Sequence, residues 1–235
     1  MQVKIISMTP RALDVIASAY AITRGMSYDE YAKKYDTNEK IKNLIQKCFN
    51  SGHISGFEFV DIDVEVIGFS RVFEAQKIRT RHASYEIESG RQKEKRFKLV
   101  KPNSVNKETH NNMEEKLQEQ YNELIKQGVP YEDARYYLPQ GLQRIGRIKQ
   151  NMSSWIHTSG LRMCACAQWE YRDFMSKLKK EITKKEPFLA EFLQPYCVHR
   201  GYCQEEYNPC GKYLVKKDVL LGRIDWTKIL DRKKG

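Results

Sequence analysis

Several features are missing from this chain, and each absence closes a class of function. No apolar run approaches the ~20 residues that a membrane-crossing helix needs, and Met1–Pro10 lacks the basic, apolar and small-residue succession of a signal peptide. A cytoplasmic protein is expected, with its six cysteines mostly reduced. There is no Gly-x-x-x-x-Gly-Lys-Ser/Thr phosphate loop and no Gly-x-Gly-x-x-Gly turn, so any dinucleotide here is held by other means. His-Glu-x-x-His and Gly-x-Ser-x-Gly are also absent, which removes zincin and nucleophile-elbow chemistry. No internal repeat or low-complexity linker divides the chain.

The 235 residues suffice for one substantial core, or at most two small ones. Apolar residues make up 40% and charged residues 30%, which is compatible with a folded protein. The net charge of +11, with a pI near 9.3, points to anionic partners: nucleotides, nucleic acid, polyanionic cofactors or acidic surfaces.

Hydrophobic periodicity predicts a short strand at Val3–Ser7 and a helix from Thr9-Pro10 to about Ala21. Further helices are expected from Ser27 and over Asn38–Asn50, the latter with Ile41, Leu44, Ile45 and Phe49 on one face. From Phe57 to Phe69 the period changes to two, the mark of a long, half-buried strand. A short helix over Arg71–Ile78 follows, then a strand at Phe97–Val100 and a polar helix over Thr109–Gln127. A helix starting at Pro130 is stopped by Pro139, a strand spans Gln143–Asn151, and helices cover Ser153–Leu161 and Ala167–Lys184. The whole reads as α/β (α+β), with a central, mostly antiparallel sheet flanked by helices. One domain over residues 1–195 and a cysteine-containing tail over 196–235 are expected.

The run Arg79–Arg91 is the densest in chemistry. Arg79, Arg81 and Arg91 offer planar donor forks suited to phosphate, while Ser84, Ser89 and Gly90 add small donors and allow close backbone approach. The plain alternative is a charged turn with surface ion pairs to Glu86, Glu88 and Glu94. His53, at the entry to the long strand, is a proton carrier or a structural turn residue. Arg135 sits one turn before a helix-ending proline, where it also compensates the helix C-terminus. Arg162 lies in an otherwise apolar stretch and must find an anionic or carbonyl partner. Cys164-x-Cys166 has the wrong spacing for a zinc knuckle or a redox pair. In the tail, Cys197, His199, Cys203 and Cys210 form a set that could hold zinc, but the spacing matches no familiar finger. Free thiols are the alternative, and no metal is assigned.

Taken together, these pieces resemble the flavin-dependent thymidylate synthases (ThyX). That family carries Arg-His-Arg, seven residues, then Ser-Gly-Arg, and here the run is Arg79-Thr80-Arg81, seven residues, Ser89-Gly90-Arg91. Gln76 before the motif, Arg135 in Ala-Arg-x-x-Leu-Pro, Leu161-Arg162 before Ala167-Gln168-Trp169-Glu170, and His53-x-Ser55-x-Phe57-Glu58 agree in order. The likeness spans about residues 50 to 175, and the cysteine tail is similar to tails of some members.

The resemblance implies a ThyX-like fold acting as a homotetramer with sites formed between subunits. The reaction it implies converts dUMP to dTMP, with carbon from methylenetetrahydrofolate and hydride from NADPH through FAD. By position, Gln76, Arg79, Ser89, Gly90, Arg91 and Arg135 would hold dUMP. Arg162 would act at the pyrimidine edge, favouring the N3-deprotonated form. His53, Ser55, Glu58, Arg79, Thr80, Arg81, Asn151 and His157 would line the FAD site. The departures cluster at flavin and base: Thr80 replaces the motif histidine, Glu88 is shifted by one position, Gln92 replaces a common tyrosine, and His157 stands where asparagine is usual. A related C5 modification of a deoxypyrimidine monophosphate, by a hydroxymethylase or a dCMP methylase, is the alternative reading. A basic nucleic-acid binder is the rival from another class, opposed by acidic residues interrupting nearly every basic cluster.

Overall fold

The structure, a computed structural model, describes residues 1–89 and 97–220. In chain order the elements begin β1 (Gln2–Met8), α1 (Ala12–Ile22), α2 (Tyr28–Lys34) and α3 (Asn38–Asn50). A 3-10 turn (Ser55–Phe59), β2 (Asp61–Ser70), α4 (Arg71–Lys77) and β3 (Ser84–Ile87) come next. Then follow α5 (Lys107–Lys126), α6 (Tyr131–Ala134) running into a 3-10 turn (Arg135–Tyr137), and β4 (Gln143–Asn151). The chain continues through α7 (Met152–Arg162), α8 (Trp169–Lys185), α9 (Pro187–Glu191), α10 (Tyr196–Arg200) and α11 (Lys216–Leu220). Two compact units result, each built from two stretches of chain. The first takes Met1–Met8 with Ile62–Gln150, the second Thr9–Asp61 with the chain from Asn151 onward.

The first unit is organised by a four-stranded sheet of order β1-β2-β4-β3, in which β1/β2 and β3/β4 are antiparallel. Alternation sorts its faces. Val3 opposite Val66, Ile5 opposite Val64, and Tyr85 opposite Ile148 are apolar pairs, and Ile62, Val64 and Val66 are fully buried. Burial of each of these β2 side chains contributes about 1.5–3 kcal/mol. The other face pairs Lys4 with Glu65 and Glu86 with Arg147. On it, Arg147 grips both oxygens of the buried Asp63 carboxylate: Nε lies 2.9 and 3.0 Å from the two oxygens, and Nη2 2.6 Å from Oδ2.

The expected strand Phe57–Phe69 is corrected: it begins at Asp61, and Phe57 belongs to the 3-10 turn. Phe57 sits 4.9 Å from Phe192 and 5.9 Å from Phe49 in the aromatic core of the second unit. Gly56 lies against the Tyr20 ring so tightly that a Cβ there would be 2.7 Å from it. Period-two spacing of Phe57 and Phe59 imitated a strand, but tertiary packing drew Phe57 inward and left Phe59 exposed. The expected strand Phe97–Val100 is reduced to a single bridge between Leu99 and Leu142. In its place β3 forms, within the run read as a phosphate-gripping segment or a charged turn.

The helices of the second unit follow the sequence closely. Ser27 and Glu30 make a reciprocal capping box on α2, and Thr37 caps α3. The inner stripe of α3 is Ile41, Leu44, Ile45 and Cys48, and that of α8 is Tyr171, Phe174, Met175, Leu178 and Ile182. Among the described residues no helix is long and apolar enough to cross a membrane.

Candidate functional site

The arginine turn is held at both ends. Ser70 caps α4 by accepting from the Phe73 amide at 3.1 Å, and one helical turn later Lys77 occupies the same buried face as Phe73. A lysine only 1% exposed must be compensated. Its ammonium bonds to the Gln150 side-chain oxygen and lies 5.5 Å from the centre of the Tyr85 ring. The Lys77 carbonyl accepts from the Thr80 amide at 3.0 Å, closing the turn. The Tyr85 hydroxyl then bridges the Lys77 carbonyl at 2.7 Å and the Thr80 carbonyl at 3.1 Å. Burial raises the pKa of that hydroxyl, against the bond to Thr80. On the far side, Arg144 of β4 pairs with Glu74 at 3.5 Å and donates to the Glu88 carbonyl, just before Ser89.

Arg79 and Arg81 project from this fixed turn into solvent, and among the described residues neither forms an ion pair. Neither therefore pairs with Glu86 or Glu88, and the part of that alternative that falls on Arg91 and Glu94 lies outside the described residues. Two guanidinium groups kept uncompensated on a rigid turn present ten N–H donors to an incoming anion, counting about five per arginine. Gln76 on α4 and Thr80 are half-buried, and Ser89 is exposed just beyond β3. Gly90 and Arg91 lie outside the described residues. Arg135, also in the first unit, caps α6, and its Nε donates to the Glu132 carbonyl at 3.0 Å.

The remaining candidates belong to the second unit. Ser55 and Glu58 are exposed on the 3-10 segment and His53 is exposed just before it, its carbonyl accepting from the Tyr20 hydroxyl at 2.7 Å. Asn151 caps α7 through its side-chain oxygen, 2.8 Å from the Ser154 amide. His157, exposed on α7, bonds through Nδ1 to the Tyr196 hydroxyl. This helix packs on the 3-10 segment, and the Met152 amide donates to the Val60 carbonyl at 2.7 Å. Arg162 ends α7 half-buried, its guanidinium 4.8 Å from the centre of the Tyr171 ring. His199 of the tail set is bonded to the main chain: Nε2 lies 3.1 Å from the Phe192 carbonyl, and burial lowers its pKa.

Sequence reasoning missed Lys77, Tyr85 and Arg144, which shape the turn without being its working groups. Lys77 was detectable, being four residues after Phe73 on the helix's buried stripe. Tyr85 and Arg144 carried no local signal.

A family model described as thymidylate synthase complementing protein matches residues 4–188. The flavin-dependent thymidylate synthase of Sulfurisphaera tokodaii is 31% identical over 226 residues, covering 93% of this chain and 88% of that protein. The enzyme of the same description from Pyrococcus abyssi is 28% identical over 247 residues, covering 99% of each. A solved structure of the Helicobacter pylori flavin-dependent thymidylate synthase, complexed with FAD and dUMP, superposes with a TM-score of 0.69 at 23% identity. It covers 83% of this chain and 100% of that one, and establishes likeness of fold.

Proposed function

The chain belongs to the thymidylate synthase complementing protein family, and from that premise we propose that it is a flavin-dependent thymidylate synthase. It converts dUMP to dTMP, with methylenetetrahydrofolate as carbon donor and NADPH as reductant. Arg79, with Gln76, Ser89, Gly90, Arg91 and Arg135, holds dUMP at its phosphate and ribose. Charged bidentate bonds of this kind are about twice as strong as neutral ones. Arg162 meets the pyrimidine edge, where a cation stabilises the negative charge left as the N3 proton departs and makes the ring more nucleophilic. His53, Ser55, Glu58, Arg79, Thr80, Arg81, Asn151 and His157 line the FAD site. FAD, when bound, supplies the reducing equivalents.

The observation that carries this reading is the pair Arg79 and Arg81, exposed and uncompensated among the described residues on a turn fixed by Tyr85. Such a turn fits the phosphate of a mononucleotide or the pyrophosphate of FAD, and its Ser89 lies where the family motif has a serine. Residues 1–195 act as the catalytic domain, with 196–235 as a tail. The working unit is a cytoplasmic homotetramer whose sites draw on more than one copy.

An absorbance spectrum of the purified protein, repeated after adding NADPH and dUMP, tests the reading. A bound flavin that bleaches with NADPH, and dTMP identified by mass, are expected. A colourless protein that takes up no FAD on reconstitution sinks it. Steeply salt-dependent DNA affinity without dUMP binding would return the nucleic-acid reading. Conversion of dCMP in preference to dUMP would move the substrate.

A further inference from the structure

In the second unit, α7 carries His157 and Gly160 three residues apart, hence on one face of the helix. Gly160 has no side chain, and the ring of Tyr196 takes the place: a Cβ there would lie 2.6 Å from it. Tyr196 is the first residue of α10, a short helix that opens after Pro195 and ends at Gly201, whose φ of 78° favours glycine. The chain is tied down just before it, where the Ser159 hydroxyl donates to the Gln194 carbonyl at 3.3 Å. The Arg200 guanidinium lies 4.0 Å from the centre of the Tyr196 ring. Beside this contact opens a cavity of about 410 Å³, walled by Leu161, Arg162 and Cys164 and, from the tail, by Tyr196, Cys197 and Cys203.

A ring so enclosed has little freedom, and its hydroxyl meets Nδ1 of His157, with the two ring centres 5.9 Å apart and edge to face. Burial raises the pKa of the Tyr196 phenol, against the nearby Arg200 charge, so the proton stays on oxygen. A neutral phenol donates, and a neutral imidazole that accepts at Nδ1 must carry its own proton on Nε2. His157 is exposed, and among the described residues its Nε2 has no hydrogen-bond partner. That N–H is available to a ligand.

We propose that Tyr196 is a positioning residue: by donating to Nδ1 it fixes the His157 ring in the Nε2–H form and holds that N–H as a donor to an acceptor atom of FAD. The inference rests on the placement of His157 at the flavin site and deepens it. The tail then takes part in cofactor binding, since its first residue orients a side chain of α7. Gly160 is what admits the ring to hydrogen-bonding range, because any side chain there would push Tyr196 off the helix.

Tyr196→Phe keeps the ring over Gly160 and removes only the hydroxyl. Long-range proton–nitrogen spectra of the histidine rings, taken on the flavin-free protein at about pH 8 where a free imidazole is neutral, read the tautomer; the His157 signals are those lost in His157→Ala. An unprotonated Nδ1 and a protonated Nε2 are expected, with the Nδ1 signal moving in Tyr196→Phe. By fluorescence titration, Tyr196→Phe raises the Kd for FAD about five- to tenfold, and the same change made on His157→Ala raises it no further. A protonated Nδ1 in the unaltered protein, or a Tyr196→Phe effect of equal size in both backgrounds, overturns the proposal. A Kd unmoved by Tyr196→Phe in a protein that binds FAD overturns this inference alone. Unaltered protein that shows the expected tautomer but takes up no FAD overturns the flavin site, and with it the role given to Tyr196.

Discussion

Replacing Tyr85 by phenylalanine separates the shape of the arginine turn from its charge. The ring remains, so the 5.5 Å approach of the Lys77 ammonium is preserved. Only the hydroxyl is lost, and with it the donor that spans the Lys77 and Thr80 carbonyls at 2.7 and 3.1 Å. One neutral hydrogen bond is worth about 0.5–1.5 kcal/mol, and an acceptor left dry adds roughly another 1 kcal/mol. The Lys77 carbonyl retains the Thr80 amide at 3.0 Å, so the Thr80 carbonyl bears the loss. The expected destabilisation is about 1–2 kcal/mol, a fall in melting temperature of roughly 2–8 °C for a chain of this length. If Arg79 and Arg81 grip ligand from a preorganised turn, about 1 kcal/mol of that appears in binding, a roughly fivefold rise in the Kd for FAD and dUMP. Circular dichroism melts and fluorescence titration of FAD read the two quantities. A lowered melting temperature with both affinities unchanged would refute the assignment of the turn to ligand.

Three further outcomes are expected. Arg147→Ala strands the buried Asp63 carboxylate and costs about 2–3 kcal/mol, whereas Asp63→Asn leaves a half-exposed guanidinium that water can serve and costs about 1 kcal/mol; equal shifts in urea midpoint would contradict the asymmetry. Tyr20, pushed up to about 12 from 10 by burial, holds its proton in the folded state where the unfolded chain has lost it. Its contribution is therefore complete below pH 10 and lost between pH 10 and about 12. The loss is about 1–2 kcal/mol after allowance for solvent screening, and urea midpoints of Tyr20→Phe should flatten over that window. Arg162→Lys keeps the charge but not the planar fork; turnover is expected to fall about 100-fold with flavin content unchanged, and full activity would remove Arg162 from the chemistry.

Where one period governs one face, the sequence was readable. Ile41, Leu44 and Ile45 declared α3, and Ile62, Val64 and Val66 declared β2. β3 escaped because Ser84 and Glu86 face water and only Tyr85 and Ile87 turn inward, too few for a pattern. Arg79, Arg81 and Ser89 stood out in the sequence as candidates for holding phosphate. Their support was not, because Tyr85, Gln150 and Arg144 reach the turn through strand pairing, which no local window contains. The cavity at the end of α7 was half legible: Cys197 and Cys203 stood out, but Cys164 joins them only once α7 and α10 are packed.

The interleaved division of the chain also sets a timetable for synthesis. On the ribosome β1 emerges first, yet Gln2 pairs with Ile67 and Ile5 with Val64, so it waits some sixty residues for its neighbour. β2 must in turn wait for β4, and β3 finds its own mate only when Gly146–Lys149 appear. The nascent first unit thus remains without its sheet until about residue 150 has left the exit tunnel. Long-range pairings of this kind fold slowly, so the half-made sheet, with its apolar Ile62–Val66 face uncovered, is the stage most exposed to chaperones and to misassembly.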